Sequence, residues 1–191
     1  MRYCYLLKKS ERTLFFEKNI KEKRCLCREF NSLLVDNNSG VLSRISGLFT
    51  RRGYNIDSIT AGVTADPRFT RITIVSSGDE IILSQIEKQI AKLEDVIVVK
   101  VLKPEESVYR ELILVKIRAN AQQRSEIVSI ADIFRAKIVD AERESLVIEL
   151  TGTQSKLEAF LQLLDGYEIL ELARTGIAGL SRGIKDVTFI E

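Results

Sequence analysis

The chain has 191 residues, 45% of them hydrophobic and 29% charged, enough for one large domain or two small ones, and two compact units is the preferred reading. Basic and acidic residues nearly balance, 29 against 27, so the general attraction to nucleic acid or anionic lipid that a strongly basic domain shows is weak here. Histidine is absent, which excludes histidine-based triads and zinc–histidine sites, and no segment approaches the roughly 20 consecutive apolar residues of a membrane span.

Residues 1–28 form a basic, mixed extension in which Lys8, Lys9, Arg12, Lys18, Lys21, Lys23 and Arg24 are interrupted by Glu11, Glu17 and Glu22. It lacks the apolar core of a secretory signal, and its acids fit an organelle transit peptide poorly, so a flexible extension or an upstream start accounts for it as well. All three cysteines, Cys4, Cys25 and Cys27, fall near this segment, in a spacing that gives neither a disulfide framework nor a zinc set. They read as incidental thiols of a reducing compartment.

The most informative stretch runs from Leu33 to Ile59. Leu33, Leu34 and Val35 predict a buried strand that enters the polar turn Asp36, Asn37, Asn38, Ser39, Gly40; Val41, Leu42, Ile45, Leu48 and Phe49 then recur at helical spacing. Asn and Ser are favoured N-caps, and Gly40 allows close approach of a ligand to the backbone. The unpaired N–H groups and positive dipole end of such a helix form a seat for a carboxylate or phosphate. Gly53 suits the left-handed residue that often follows a helix, and Tyr54, Asn55 and Ile56 are expected to begin the return strand. Arg44, Arg51 and Arg52 read as a solvated helix face.

Asp66 to Arg68, with one of only two prolines, is a turn before a strand over Phe69 to Ser76, in which Ile72 and Ile74 alternate with Arg71 and Thr73. Arg71 is a candidate partner contact against the commoner reading of a solvated side chain. Ile82, Leu83, Ile86, Ile90 and Leu93 mark a helix over Asp79 to Leu93, and the β-branched run Val96 to Leu102 is a fourth strand. Residues 29–103 thus form one βαββαβ unit, and 104–109 are a polar linker around Pro104. Over 110–175 the order repeats, with a strand at Leu112 to Ile117, a helix at Ser125 to Arg135 and a hairpin of Lys137 to Ala141 with Leu146 to Leu150. A helix at Thr153 to Leu164 and a strand at Tyr167 to Ala173 complete it. Residues 176–191 read as an irregular tail punctuated by Gly176, Gly179 and Gly183. The fold class is α+β, two ferredoxin-like units in tandem.

The run Asn37, Asn38, Ser39, Gly40, Val41, Leu42, Ser43, Arg44, followed by Gly47, Leu48, Phe49, then Arg52, Gly53, Tyr54, Asn55, Ile56 and the distant block Gly179, Leu180, Ser181, Arg182, Gly183, resembles the regulatory small subunit of acetolactate synthase. The resemblance covers about Arg28 to Gly183. It implies an N-terminal ACT domain, a ferredoxin-like module that senses amino acids, and a smaller C-terminal ferredoxin-like domain. It further implies a chain with no catalytic or metal-binding residues and no cofactor of its own, thiamine diphosphate, Mg and FAD belonging to the large catalytic subunit. Such a chain forms a homodimer through its ACT domains, activates the large subunit and confers feedback inhibition by valine, leucine or isoleucine. Carried over by position, the effector site is Asn37, Asn38, Ser39, Gly40 and Val41 of one protomer with Asn55 and Ile56 of the other. Either a bacterial-type cytoplasm or a plastid stroma fits as the location.

The chemistry of these residues agrees with that transfer: the turn offers backbone N–H donors for a carboxylate, Asn55 an amide oxygen for an ammonium, and Ile56 with Leu34 or Val41 an apolar slot. Three rivals stand beside it. An acylphosphatase-like hydrolase on the same fold lacks an evident glycine-rich phosphate cradle, and the Gly179 to Gly183 segment lacks the lysine and following helix of a phosphate loop. An RNA-recognition module needs aromatics on its central strands, where only Phe30 and Phe69 stand at the edges. An ACT regulator of another amino-acid enzyme shares every feature of the first unit.

Overall fold

The computed structural model describes residues 27–184. The described residues divide into two compact units, the first taking 27–57 together with Ala61–Val101, the second Ser58–Thr60 and 102–184.

In chain order, strand β1 (Cys27–Asp36) leads into helix α1 (Val41–Arg52), strands β2 (Ser58–Val63) and β3 (Phe69–Gly78), helix α2 (Glu80–Ile90) and strand β4 (Val96–Leu102). The sheet order is β2-β3-β1-β4, with β1 antiparallel to β3 in an unbroken register from Cys27 opposite Gly78 to Asp36 opposite Phe69. Leu33 and Val35 of β1 and Ile72 and Ile74 of β3 point to one face. Val41, Ile45, Leu48 and Phe49 of α1, with Leu83, Ile86 and Ile90 of α2, close over them in one buried cluster. These are the apolar positions at helical and strand spacing, and each fully buried Leu or Ile contributes about 1.5–3 kcal/mol of transfer free energy. Tyr54 packs edge-on against Phe49 at 6.1 Å between ring centres.

The second unit repeats the order: β5 (Ser107–Arg118), α3 (Ala121–Phe134), β6 (Lys137–Ala141), β7 (Ser145–Gly152), α4 (Gln154–Leu163) and β8 (Ile169–Arg174), with sheet order β6-β7-β5-β8. Ile113, Val115 and Ile117 of β5 and Leu146, Ile148 and Leu150 of β7 pack under Ile127 and Ala131 of α3 and Leu157 and Phe160 of α4. The architecture is therefore two ferredoxin-like βαββαβ units in tandem.

Four local expectations are corrected. Tyr54 to Asp57 are not strand; β2 starts at Ser58, because the chain must first turn out of the left-handed Gly53 (φ 67°) that ends α1. Helix α3 begins at Ala121, four residues before Ser125, because Asn120 caps it: its side chain accepts from the N–H groups of Gln122 and Gln123 while the Gln123 side chain accepts from Asn120 N. The segment expected as an irregular tail contains strand β9 (Ala178–Ser181), paired antiparallel to Ser107–Arg110 at the start of β5. Arg71 is only partly solvated; it is half-buried and its Nη1 donates to Ser32 Oγ at 3.1 Å. The N-terminal extension, with Cys4 and Cys25, lies outside the described residues, and Cys27 opens β1 as a half-buried free thiol.

Candidate functional site

The turn between β1 and α1 is fastened from two sides. Asn37 N–H donates to the carbonyl of Arg68 at 2.7 Å, its Nδ2 donates to the carbonyl of Pro67 at 2.9 Å, and its Oδ1 accepts from Thr70 Oγ1 at 3.0 Å. The amide of Asn37 is thereby committed to the β2–β3 turn. On the other side, Asp36 N–H donates to the carbonyl of Asp95, and the Asp95 carboxylate accepts from Arg44 Nε at 2.5 Å and from Nη2 at 2.7 Å. This pairing holds the Arg44 guanidinium above its usual proton affinity, chiefly through the hydrogen bond to Asp95.

The helix start is not capped in the manner the sequence suggests. The cap residue is Gly40, in the left-handed region at φ 86°, and no side chain caps the helix. The Asn37 amide is drawn instead to Pro67 and Thr70, and glycine takes the cap position because it alone enters that region without a Cβ penalty. The first intrahelical bond runs from Arg44 N–H to Gly40 O at 2.9 Å, so the N–H groups of Val41, Leu42 and Ser43 precede it, and α1 has no acidic residue in its first turn. By contrast, Asp79 caps α2 by accepting from Ile82 N at 2.8 Å. Helix α4 also lacks a side-chain cap bond, so an open helix end does not by itself distinguish the site. What α1 adds is a cation over the turn: a Cβ placed on Gly40 would stand 3.2 Å from Arg44 Nη1, the guanidinium nitrogen that Asp95 does not take.

Asn37, Asn38, Ser39, Gly40 and Val41 are contiguous here, the first four exposed, while Val41 contributes its backbone and sends its side chain into the core. Leu34 is likewise buried, so neither Leu34 nor Val41 lines an apolar slot at the surface; the exposed apolar side chain at this helix start is Leu42, 49% exposed. Asn55 and Ile56 lie past the opposite end of α1. A helix of 12 residues is about 18 Å long, so a single chain does not bring the two halves of the predicted site together. Asn55 Nδ2 donates to Asp57 Oδ1 at 2.8 Å, and Asp57 Oδ2 accepts from Ser77 Oγ, which leaves the Asn55 oxygen as its acceptor end. Ile56 is half-buried against the core.

Two residues at these positions were not legible in the sequence. Asp95 lies 51 positions from Arg44, and Asp57, which accepts from Asn55, is itself placed by Ser77 and Val75 of β3 and by Arg28 of β1. In the second unit a shallow depression is lined by Ala121, Arg124, Ala141, Glu142 and Arg143, but Arg124 is spent there on the carbonyl oxygens of Glu142 and Arg143. The Gly179 to Gly183 block forms part of β9 and its exit. Among the described residues no group of three or more acidic or cysteine side chains is placed to hold a metal ion, and no helix is long and apolar enough to cross a membrane.

Fold and turn together define an ACT-type module followed by a second ferredoxin-like unit. Residues 32–98 match the AHAS small subunit-like ACT domain, and residues 110–183 match the family described as the small subunit of acetolactate synthase. A probable acetolactate synthase small subunit from Methanothermobacter thermautotrophicus is 49% identical over 153 residues, which are 80% of this chain and 91% of the relative. The isozyme 3 small subunit of Escherichia coli is 47% identical over 159 residues, 83% of this chain and 98% of the relative. The crystal structure of the acetolactate synthase small subunit from Thermotoga maritima superposes with a TM-score of 0.77 at 42% identity, covering 82% of this chain and 98% of that one. The chain belongs to the acetolactate synthase small-subunit family. It is accordingly the non-catalytic member of a transferase whose large subunit carries the reaction.

Proposed function

We propose that the chain activates the thiamine-diphosphate-dependent large subunit and makes it answer to valine, leucine or isoleucine through an effector site shared by two copies of the chain. The observation that carries this reading is the separation of Asn37–Val41 from Asn55 and Ile56 by the whole length of α1. Two copies related by a two-fold axis that lays their α1 helices antiparallel bring the turn of one to Asn55 and Ile56 of the other, twice per dimer. Leu42 on α1 and Val63 on the edge strand β2, 61% exposed, supply apolar surface for such a seam, and the edge of β2 offers unpaired backbone groups to a second copy.

In this reading the effector carboxylate meets the N–H groups at the start of α1, and its ammonium meets the Asn55 oxygen of the second copy. One methylene in an apolar pocket is discriminated by only about 1–3 kcal/mol, so the three branched amino acids compete for one site. Inhibition follows from preference for one arrangement of the dimer, and a tenfold preference corresponds to about 1.4 kcal/mol. Thiamine diphosphate, Mg and FAD belong to the large subunit. Adding the purified chain to separately purified large subunit and following acetolactate formation tests the reading. The rate is expected to rise several-fold with the chain and to fall when valine is added; a rate indifferent to both overturns it.

A further inference from the structure

We infer that Asp95 is a positioning residue for recognition of the effector's carboxylate: its two oxygens hold Arg44 in a fork that turns Nη1 over Gly40, and its carbonyl holds Asp36 where β1 runs into the turn. The inference rests on the effector reading given above and concerns how that site tells an acid from its neutral analogue.

Three observations carry it. The fork is two-pronged, through Nε and Nη2, and such a pair fixes the plane of a guanidinium as well as its distance. Asp95 is the more enclosed partner, its side chain 15% exposed against 49% for Arg44, so it is the anchor and Arg44 the arm. Nη1 lies nearer the Gly40 position than Cζ does, 3.2 against 3.9 Å, so the edge of the guanidinium turned to the loop is the one that Asp95 does not occupy. A carboxylate seated on the N–H groups of Val41, Leu42 and Ser43 enters the reach of that nitrogen and gains a charge-assisted donor that an uncharged amide gains only weakly. Without Asp95 the arm is free to swing into water, and Asp36 loses none of its backbone bond, so the turn stays while its cation leaves.

Arg44 is three residues past the start of α1 and would otherwise be a surface arginine paired by chance. The second tie from the same residue, Asp36 N–H to Asp95 O at 3.0 Å, is what makes Asp95 a clamp on both ends of the turn.

The test uses the reconstituted complex of full-length chain and large subunit, with inhibition measured for valine and for valinamide, each relative to the variant's own uninhibited rate. With the unmodified chain valine is expected to inhibit at least tenfold more tightly than valinamide. Asp95→Asn and Arg44→Lys should each narrow that ratio to about twofold, the double variant should be no worse than either single one, and Asp95→Glu, which restores the charge, should recover part of it. A role confined to folding would weaken both ligands alike and leave the ratio unchanged, and that outcome overturns the inference. If the unmodified chain answers to neither ligand, the effector reading fails and this inference with it. If it discriminates and Asp95→Asn and Arg44→Lys discriminate equally well, the inference alone fails.

Discussion

Arg174 lays both arms of its guanidinium on Glu111, Nε on Oε1 at 2.8 Å and Nη2 on Oε2 at 2.9 Å, at the residue of β5 where the strand changes neighbours. Before it, Ser107–Arg110 pair with β9; after it, Ile113–Ile117 pair with β8. Glu111 is 6% exposed and stands opposite Gly152 in the β5–β7 ladder, and the pair fixes its carboxylate there.

Removing one partner strands the other, so Arg174→Met is expected to lower stability by about 2 kcal/mol, while Arg174→Met combined with Glu111→Gln recovers most of the loss because no buried charge is left. Urea denaturation of the three chains checks this. Equal losses in the single and double variants would contradict it.

The side chain of Arg68 binds the carboxylate of Asp66, through Nε at 2.9 Å and Nη2 at 2.7 Å, and its backbone N–H adds a third bond, which together hold the Asp66 carboxyl below the usual range. A folded-state pKa below the unfolded one means that the stabilisation is present above the unfolded value and is lost as pH falls through the folded value. The carbonyls of Pro67 and Arg68 receive Asn37, so the turn proposed to seat the effector is tied to the group that titrates. Valine binding is expected to be steady from neutrality down to about pH 5 and to weaken below about pH 4, with Asp66→Asn weaker at neutrality and flatter in acid. Calorimetric titration across this range measures both slopes; parallel curves for the two chains would remove Asp66 from the account.

Ser76 Oγ and Asn31 Oδ1 are buried in the first unit with no hydrogen-bond partner among the described residues, whereas Ser32 Oγ receives Arg71. Ser76→Ala is therefore expected to leave stability within about 0.5 kcal/mol of the unmodified chain or to raise it, and Ser32→Ala to lower it by about 1 kcal/mol. Thermal unfolding of both variants decides; a larger loss for Ser76→Ala than for Ser32→Ala would show that its hydroxyl has a partner that matters.

Strand β9 is seated by the absence of a side chain. A Cβ on Gly179 would fall 2.7 Å from Leu102 Cδ1 and 3.0 Å from Tyr109 Cδ1, and Tyr109 is fixed by the bond from its hydroxyl to the Leu102 carbonyl at 2.8 Å. Gly179→Val is expected to cost about 1–3 kcal/mol and to free the backbone at the exposed Arg182, tied in the unmodified chain to the Glu106 carbonyl, for cleavage by trypsin. Limited proteolysis followed by mass measurement reads that cleavage, and an unchanged rate at Arg182 would mean that β9 accommodates the bulk.

The parts of the fold legible in the sequence were those set by local periodicity. Val41, Ile45, Leu48 and Phe49 marked α1, the run from Val96 to Leu102 marked β4, and Gly53 marked the left-handed exit, because burial on one face and a positive φ leave a trace in the residues themselves. What the sequence hid depends on partners far along the chain. Asn37 looked like a cap and is instead drawn to Pro67 and Thr70; Arg44 looked solvated and is claimed by Asp95; β9 is four residues long and exists because Ser107–Arg110 offer it an edge. At the site, residue types and their order marked a polar turn running into a helix start, while the choice of Gly40 as the cap, the cation over it and the burial of Leu34 and Val41 needed the packed structure.

An effector site divided between two chains is tested most directly by mixed dimers. Gly40→Asp puts a carboxylate beside Arg44 Nη1 and into the proposed seat of the ligand, and Asn55→Ala removes the acceptor proposed for its ammonium. Each homodimer should bind no valine. Co-expressed and purified as the heterodimer with two affinity tags, the two variants leave one site with both defects and one with none, so calorimetry is expected to give one valine per dimer at the affinity of the unmodified chain, against two for the unmodified dimer. No binding by the heterodimer, where the unmodified dimer binds, would contradict a shared site.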